Sequence, residues 1–166
     1  MIIDQKFLDS LSAHAKANPR LRQSYDLRTT PDDKSQRMLN ALEPGTIMPS
    51  HRHRNTSETM VMVRGKLIER FYDENGNITD EFVMEPLSIP SLHSVPEGES
   101  SEPTIPIVQI DKGQWHSLEV LEEGTVIFEA KDGAYAPLQQ SEILDLSLIG
   151  APPLVQQSHQ LLHQCR

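Results

Sequence analysis

The stretch that decides the fold is Gly45–Gly65, which reads GTIMPSHRHRNTSETMVMVRG. It contains two histidines one residue apart, His51 and His53, and a carboxylate, Glu58, close behind them. Because side chains alternate between the faces of a β-strand, the two histidines are expected to point the same way and Arg52 the other way. Two imidazoles and a nearby carboxylate suit a divalent transition metal. The stretch therefore predicts a metal site.

The spacing of these residues resembles the first sequence motif of the cupins, including the glycine at each end. A second stretch, DKGQWH at residues 111–116, resembles the second cupin motif. It is degenerate, because Asp111 stands where proline is usual, Val120 replaces a frequent asparagine, and an upstream glycine is missing. Its histidine, His116, is present. The resemblance implies that His116 completes the ligand set of His51, His53 and Glu58.

Two further segments narrow the resemblance. QRMLNALEPGT at 36–46 and FEAKDGAY at 128–135 resemble the WbuC-type cupin metalloproteins, which are associated with bacterial surface-polysaccharide gene clusters. The likeness extends over roughly residues 4–137. It implies a cupin fold and a bound metal, and it implies a small sugar or sugar nucleotide as the ligand.

Composition agrees with a small globular enzyme or binding protein. A chain of 166 residues is expected to form one domain, and its net charge of −9 argues against a nucleic-acid partner. The sequence lacks an apolar run of membrane-spanning length, and its first residues do not resemble a signal peptide. The single cysteine, Cys165, cannot form a disulfide within the chain. We therefore expect a cytoplasmic protein with no membrane association.

Hydrophobic patterning predicts one helix followed by short strands. Phe7, Leu8, Leu11 and Ala15 fall on one helical face, and Asp4 can cap the start. From Met38 onward the pattern changes to strands separated by turn signals, which is typical of a sandwich or barrel. The predicted strands are 38–42, 59–63, 66–72, 78–84, 105–110, 117–121 and 125–130.

The prediction is a mainly all-β protein, a single cupin jelly-roll barrel (double-stranded β-helix) with an N-terminal helix. We divide it into a helix and basic arm at 1–35, the barrel at 36–137, and a tail at 138–166. The tail is either disordered or docks on a partner subunit. The proline-rich segment 85–104 is interpreted as a long loop, either a mobile lid or a surface insertion.

The ligand set predicts one divalent transition metal per chain, with zinc, iron, manganese and nickel as candidates. Ligand binding requires neutral imidazole, so affinity is expected to fall below the histidine range near pH 6.5. The alternative is a metal-free cupin in which the four residues are buried polar groups. No metal role is expected for the remaining candidates in the chain, His93, His159 and His163.

Strand parity also suggests which side chains line a pocket. Met60 and Met62 share a face with Glu58, and Leu118 shares one with His116. Asn40 is either a satisfied core amide or a group directed at the ligand. Gln36 has the same parity and is expected nearer the barrel mouth.

Glu129 and Lys131 project together from the last predicted strand. They form either an exposed ion pair, which contributes little to stability, or an acid–base pair at the site. The WbuC-type resemblance around residues 128–131 favours the second interpretation.

A basic stretch contains Arg20, Arg22 and Arg28. It either balances the acidic barrel or binds phosphate or carboxylate groups of a nucleotide-linked sugar.

Three functions remain open from the sequence. The first is a metal-dependent sugar isomerase or epimerase, because a chelated dication lowers the cost of moving a proton next to a carbonyl. The second is an iron-dependent dioxygenase that uses the same ligands, and the third is a non-catalytic, metal-dependent sugar-binding or regulatory protein. The expected partners are a small-molecule carbohydrate and a second copy of the chain, with Val61 and Val63 as apolar outward positions for a homodimer.

Overall fold

The structure is a computed structural model that describes residues 1–87 and 104–144. In these ranges one helix precedes ten strands, with a short 3-10 turn at Gln140–Glu142 before the last strand. The elements are α1 (Gln5–Ala17), β1 (Arg22–Asp26), β2 (Ser35–Leu42), β3 (Ser50–His51), β4 (Glu58–Arg64), β5 (Leu67–Tyr72), β6 (Ile78–Met84), β7 (Ile107–Ile110), β8 (Trp115–Val120), β9 (Thr125–Asp132) and β10 (Ile143–Leu144).

The strands form two five-stranded sheets. The first sheet has the order β1-β2-β9-β4-β7 and the second has the order β10-β3-β8-β5-β6. All pairings between these strands are antiparallel. Consecutive strands such as β4 and β5 lie in different sheets, which is the connectivity of a jelly roll. The predicted fold class is confirmed.

The helix forms where the sequence predicted it. The Asp4 carboxylate accepts a hydrogen bond from the Phe7 N–H, which caps the first turn. Leu8, Leu11 and Ala15 are buried against Leu39, Ala41 and Val126 of the first sheet. The helix therefore covers the outer face of that sheet with its apolar side.

The core between the sheets is a second apolar cluster. Leu42, Met60, Met62 and Ile127 from the first sheet pack against Leu67, Met84, Leu118 and Val120 from the second. These residues follow the alternation that the sequence showed, since every second side chain of a strand points inward. The cluster fills one end of the barrel and leaves the other end for polar side chains.

Gly65 closes the turn between β4 and β5, where the chain passes from one sheet to the other. Its φ is +80°, and a Cβ at this position would lie 2.7 Å from the backbone Cα of Thr125. Both the conformation and the close approach require glycine. This is the physical reason for the second glycine of the Gly45–Gly65 stretch.

Three short strands were not predicted. β1 lies within the basic arm and carries no apolar alternation, because it is an edge strand with a half-buried to exposed side-chain pattern. β3 and β10 have two residues each, too few for a periodic signal. β10 pairs with β3 and lies beyond residue 137, where the barrel was expected to end. The division into three segments stays a prediction.

Several predictions concern residues outside the described ranges. The greater part of the 85–104 loop and of the tail lies there, together with His93, His159 and His163. Within residues 1–87 and 104–144, no helix is long and apolar enough to cross a membrane. Val63 is 36% exposed on β4, and Val61 is half-buried. The homodimer stays a prediction.

Candidate metal centre

The four predicted ligands lie together inside the barrel. One potential ligand atom from each of His51, His53, Glu58 and His116 lies within 4.8 Å of the other three. The rings of His51 and His116 are 4.3 Å apart and those of His51 and His53 are 5.1 Å apart, measured between centroids. This group could bind a metal ion.

The two sheets contribute from opposite sides. His51 on β3 is the direct cross-strand partner of His116 on β8, so the second sheet brings these two imidazoles together. Glu58 begins β4 in the first sheet, where it pairs with Ile110 and Lys131. The cluster therefore bridges the gap between the sheets.

His53 is placed differently from the prediction. β3 ends at His51, so His53 lies in the loop that follows rather than on the same strand. The N–H of Gly113 donates a hydrogen bond to the His53 carbonyl over 2.9 Å. The turn of the degenerate second motif thus fixes the backbone of the first. Arg52 points away, as predicted, and its guanidinium lies 4.1 Å from the centroid of the Trp115 ring.

Backbone carbonyls orient two of the imidazoles. The Nδ1 of His51 lies 3.0 Å from the Pro49 carbonyl, and the Nδ1 of His116 lies 3.1 Å from the Gln114 carbonyl. When Nδ1 carries the proton and donates to these oxygens, Nε2 is left with its lone pair free for a metal. These carbonyls are the acceptors that metal-binding histidines require, and the sequence did not identify them.

Burial keeps both histidines uncharged. It lowers the pKa of His51 to about 3, with a further contribution from the positive charge that His116 can carry. Burial also lowers the pKa of His116, although the Glu58 carboxylate opposes that shift. Neutral imidazole is the metal-binding form, so the site favours it at neutral pH.

Glu58 supplies a negative charge, and one of its carboxylate oxygens has no hydrogen-bond partner among the described residues. Burial opposes its ionisation, but contact with His53 and the charge of Lys131 lower its pKa overall. Its Oε2 lies 3.1 Å from His53 Nε2 and 3.1 Å from Lys131 Nζ, yet accepts no well-oriented hydrogen bond from the described residues. The Lys131 ammonium supplies one positive charge beside this oxygen, and the oxygen keeps a lone pair available for a metal ion.

The donor set fits a divalent metal. Ligand atoms about 2.1 Å from an ion lie at most about 4.2 Å apart, so a small contraction of the cluster would place all four around one ion. Three neutral imidazoles and one carboxylate are borderline donors and do not select among zinc, iron, manganese and nickel.

Glu129 and Lys131 both point into the site from β9. Lys131 Nζ lies 3.3 Å from Glu129 Oε2 and 3.2 Å from His53 Nε2. Burial and the charge of Glu58 raise the pKa of Glu129 to about 7, although Lys131 opposes the shift. The pKa of Lys131 is also raised, because the two carboxylates outweigh the effect of its burial. Glu129 is buried and the Lys131 side chain is 12% exposed, so the two residues do not form a solvent-exposed ion pair. Their catalytic role stays a prediction.

Two cavities adjoin the cluster. A cleft of about 280 Å³ is lined by His53, Arg54, Lys131 and the segment 134–139, among other residues. A smaller inner cavity of about 40 Å³ is lined by His51, Glu58, His116 and Lys131, among others. Lys131 and the ligand cluster thus separate an outer space from an inner one.

The predicted pocket residues divide between these spaces. Gln36 lines the cleft, where its amide donates toward the carbonyls of Gly133 and Ala134. Met60 and Leu118 line the inner cavity. Met62 packs in the core, and the buried Asn40 lines neither of the two cavities. The roles of all five residues stay predictions.

The basic arm does not line either cavity. Arg28 forms an ion pair with Asp26 over 2.7 Å, and Arg22 donates to the Ile47 carbonyl and to Met48. The exposed Arg20 is also absent from both linings. Local pairing accounts for two of the three arginines.

The sequence analysis did not identify one buried carboxyl group of the site. Glu69 on β5 is 0% exposed and lines the inner cavity. The signal was present, because Glu69 shares a strand face with Leu67 and Phe71, which are apolar. A carboxyl group on the core face of a strand is uncommon unless it is paired.

Sequence comparison finds one family model. A family model described as a domain of unknown function, DUF6016, matches residues 3–84. No curated protein matches the chain.

Solved structures resemble the chain at low sequence identity. The capsular polysaccharide assembling protein CapF from Staphylococcus aureus superposes with a TM-score of 0.52 at 24% identity, over 72% of this chain and 30% of CapF. KdgF from Halomonas sp. gives 0.49 at 12% identity, over 70% of this chain and 82% of KdgF. A sugar phosphate isomerase from a cupin superfamily of Silicibacter pomeroyi gives 0.46 at 16% identity, over 67% of this chain and 59% of that protein. The chain spans less than a third of CapF. The two antiparallel sheets together with the CapF superposition show a single cupin jelly roll.

Proposed function

We propose that the protein binds one divalent transition metal at His51, His53, Glu58 and His116 and isomerises or epimerises a small sugar or sugar nucleotide. The observation that carries the proposal is the position of Glu129, a buried carboxyl group with a pKa of about 7, beside this cluster. A group with such a pKa can both accept and release a proton at neutral pH.

The metal would act as a Lewis acid that polarises the carbonyl oxygen of the substrate. Glu129 would accept the proton from the carbon next to that carbonyl. The electron pair of the broken C–H bond would move toward the carbonyl carbon, and the carbonyl oxygen would gain negative charge. Return of the proton to the former carbonyl carbon, together with transfer of the hydroxyl proton of the deprotonated carbon to the former carbonyl oxygen, gives an isomer. Return of the proton to the opposite face of the same carbon restores the carbonyl and gives an epimer.

Lys131 has two tasks in this scheme. Its ammonium group lies 3.3 Å from Glu129 and therefore stabilises the ionised, proton-accepting form of that carboxyl. It also lines both the cleft and the inner cavity, where it can donate a hydrogen bond to an oxygen on which charge develops.

The carbohydrate assignment depends on the WbuC-type sequence resemblance. CapF is described as a capsular polysaccharide assembling protein, but its likeness to this chain concerns the fold alone. The cleft of about 280 Å³ has a volume suited to a small ligand. Its polar walls, which include Arg54, Thr56 and Gln139, suit a ligand that is rich in oxygen atoms.

Isotope exchange tests the proposal. Metal-loaded protein is incubated in heavy water with a panel of nucleotide sugars, aldoses and ketoses, and deuterium at the carbon next to the carbonyl is measured by NMR. We expect incorporation by the wild type, loss with Glu129→Gln, and retention with Glu123→Gln, whose carboxylate pairs with Lys16 on the surface. Exchange that survives both Glu58→Ala and Glu129→Gln would contradict the proposal.

Measurements of sugar binding and oxygen consumption on the same metal-loaded protein separate the alternatives. Tight sugar binding without exchange under any metal would indicate a binding or regulatory protein. Oxygen consumption that depends on iron(II) and a sugar would indicate a dioxygenase, whereas zinc as the native metal would exclude redox chemistry at the metal.

A further inference from the structure

Glu69 is a buried carboxyl group that the proposed reaction does not use. It lies in the middle of β5, opposite Leu118 of β8 and Phe82 of β6. Neither of its carboxyl oxygens has a hydrogen-bond partner among the described residues. Burying a polar group without a partner destabilises a fold, so packing gives no reason for a carboxyl group here.

The surroundings of Glu69 favour its uncharged form. Burial, followed by the negative charges of Glu58 and Glu129, raises its pKa well above the ordinary value, with only partial opposition from Arg70. A neutral carboxylic acid has one O–H donor and an acceptor oxygen. It can therefore both give and accept a hydrogen bond with a hydroxyl group.

Glu69 lines the inner cavity, which is large enough for a small part of a ligand. Its volume of about 40 Å³ exceeds the roughly 10–15 Å³ that one water molecule requires, but it is far too small for a sugar ring. Apolar side chains form much of its wall, among them Met60, Ile110 and Leu118. Glu69 is the lining residue that β5 contributes, and Ser117 of β8 and Glu129 and Lys131 of β9 line the cavity from other strands. Among these polar groups, Glu69 is the carboxyl group whose two oxygens have no partner among the described residues.

We propose that Glu69 is a specificity-determining residue that hydrogen-bonds a terminal hydroxyl of the ligand in the inner cavity. The inference rests on the proposed function, because it assumes that an oxygen-rich ligand binds at the metal cluster. It narrows the substrate class to small polyhydroxy compounds whose hydroxymethyl end enters the inner cavity while the remainder occupies the cleft. The cluster that lies between the two spaces would then face the oxygens next to that end.

A matched pair of small probes tests the proposal without turnover. Glycerate and lactate both carry a carboxylate and an adjacent hydroxyl for the metal, and they differ by one terminal hydroxyl. Their affinity for the cobalt-loaded protein is read from the change in the visible absorption of cobalt. We expect the wild type to bind glycerate about tenfold more tightly than lactate, the difference that one hydrogen bond makes.

The variants decide whether Glu69 causes this preference. Glu69→Gln keeps a donor and an acceptor and should keep the preference, whereas Glu69→Met should lose it while still binding one cobalt per chain. An equal preference for glycerate in the wild type and in Glu69→Met would overturn the proposal. So would a wild type that does not distinguish the two probes.

Stability of the metal-free protein provides a test that does not depend on the metal. We expect Glu69→Met to unfold at a higher temperature than the wild type, because an unpartnered buried carboxyl is removed. The control is Glu119→Met, which breaks the 2.9 Å ion pair with buried Arg70 and should lower the unfolding temperature. A lower unfolding temperature for Glu69→Met would assign Glu69 a structural role and overturn the inference.

These results are distinguishable from failure of the proposed function. If isotope exchange is absent but the preference for glycerate is intact, the isomerase proposal is rejected and the proposed role of Glu69 is retained. If Glu69→Met shows isotope exchange at an unchanged rate and with unchanged sugar selectivity, the isomerase proposal is retained. The proposed role of Glu69 is then rejected.

Discussion

Lys131 and Glu58 are direct cross-strand partners on β9 and β4, and Lys131 Nζ lies 3.1 Å from Glu58 Oε2. The same ammonium lies 3.2 Å from His53 Nε2. Lys131 thus places a positive charge beside two of the four atoms that would bind a metal. It balances the buried carboxylate of Glu58, as a dication would.

This arrangement predicts that Lys131→Met has opposite effects in the two states of the site. Without metal, the variant leaves Glu58 buried without a counter-charge, and we expect a loss of about 3 kcal/mol in the free energy of unfolding. With zinc, the dication replaces the missing charge and most of that loss should disappear. Urea unfolding with and without zinc measures both values.

The control for this experiment is Lys16→Met. Lys16 pairs with Glu123 at the surface, where an ion pair contributes at most about 1 kcal/mol in either state. Equal destabilisation of Lys131→Met with and without zinc would show that Lys131 does not share the charge of a metal site.

A second prediction concerns pH. Because burial lowers the pKa of His51 to about 3 and also lowers that of His116, protons compete weakly for these nitrogens. Metal affinity should therefore persist below pH 6.5, where a free histidine would protonate, and fall only at more acidic pH. This replaces the sequence-based expectation of a fall near pH 6.5, which used the pKa of a solvated histidine. Competition titration with a chromogenic chelator across this range measures the effect. A fall in affinity centred on pH 6.5 would indicate that His51 and His116 are solvated.

The same shift fixes the sign of the pH dependence of folding. Between pH 6.5 and about 3 the unfolded chain binds a proton on His51 that the folded chain does not. The contribution of His51 therefore favours unfolding increasingly as pH falls through this window and is constant above it.

A third prediction compares two glycines with the same φ. Gly65 and Gly113 both have φ of +80°, but a Cβ on Gly65 would meet the Thr125 backbone while one on Gly113 would meet nothing within 4 Å. Gly113→Ala should cost about 1 kcal/mol from backbone conformation alone. Gly65→Ala should cost more than twice as much, measured by urea unfolding. Similar losses would show that the approach of Gly65 to Thr125 is not tight.

The sequence predicted the parts of this structure that depend on periodicity and motif spacing. α1, the long strands and the cluster of His51, His53, Glu58 and His116 are examples. It missed β3 and β10, because two-residue strands exist only through their partners. The carbonyl acceptors at Pro49 and Gln114 could not be predicted either, because every residue type has a backbone carbonyl.

The sequence also did not show which polar side chains are buried. Glu129 and Lys131 alternate in the same way whether their face is solvated or enclosed, so sequence left both interpretations open. Glu69 could have been found, because its place between Leu67 and Phe71 puts a carboxyl group on an apolar face. Its lack of a partner among the described residues is a tertiary property that no local pattern contains.

A fourth prediction concerns the ligands one at a time. Replacing His51, His53, Glu58 or His116 with alanine should weaken metal binding at least about 100-fold, because each supplies one bond to the ion. His14→Ala is the control, since His14 is exposed on α1. His159→Ala and His163→Ala should also leave one metal per chain. Equilibrium dialysis with elemental analysis gives both affinity and stoichiometry.

The most direct test is anomalous diffraction from a crystal of the zinc-loaded protein at the zinc absorption edge. We expect one peak per chain about 2.0–2.2 Å from His51 Nε2, His53 Nε2, His116 Nε2 and a Glu58 carboxylate oxygen. A peak at other residues, or no peak at these four in a protein that binds zinc in solution, would contradict the account.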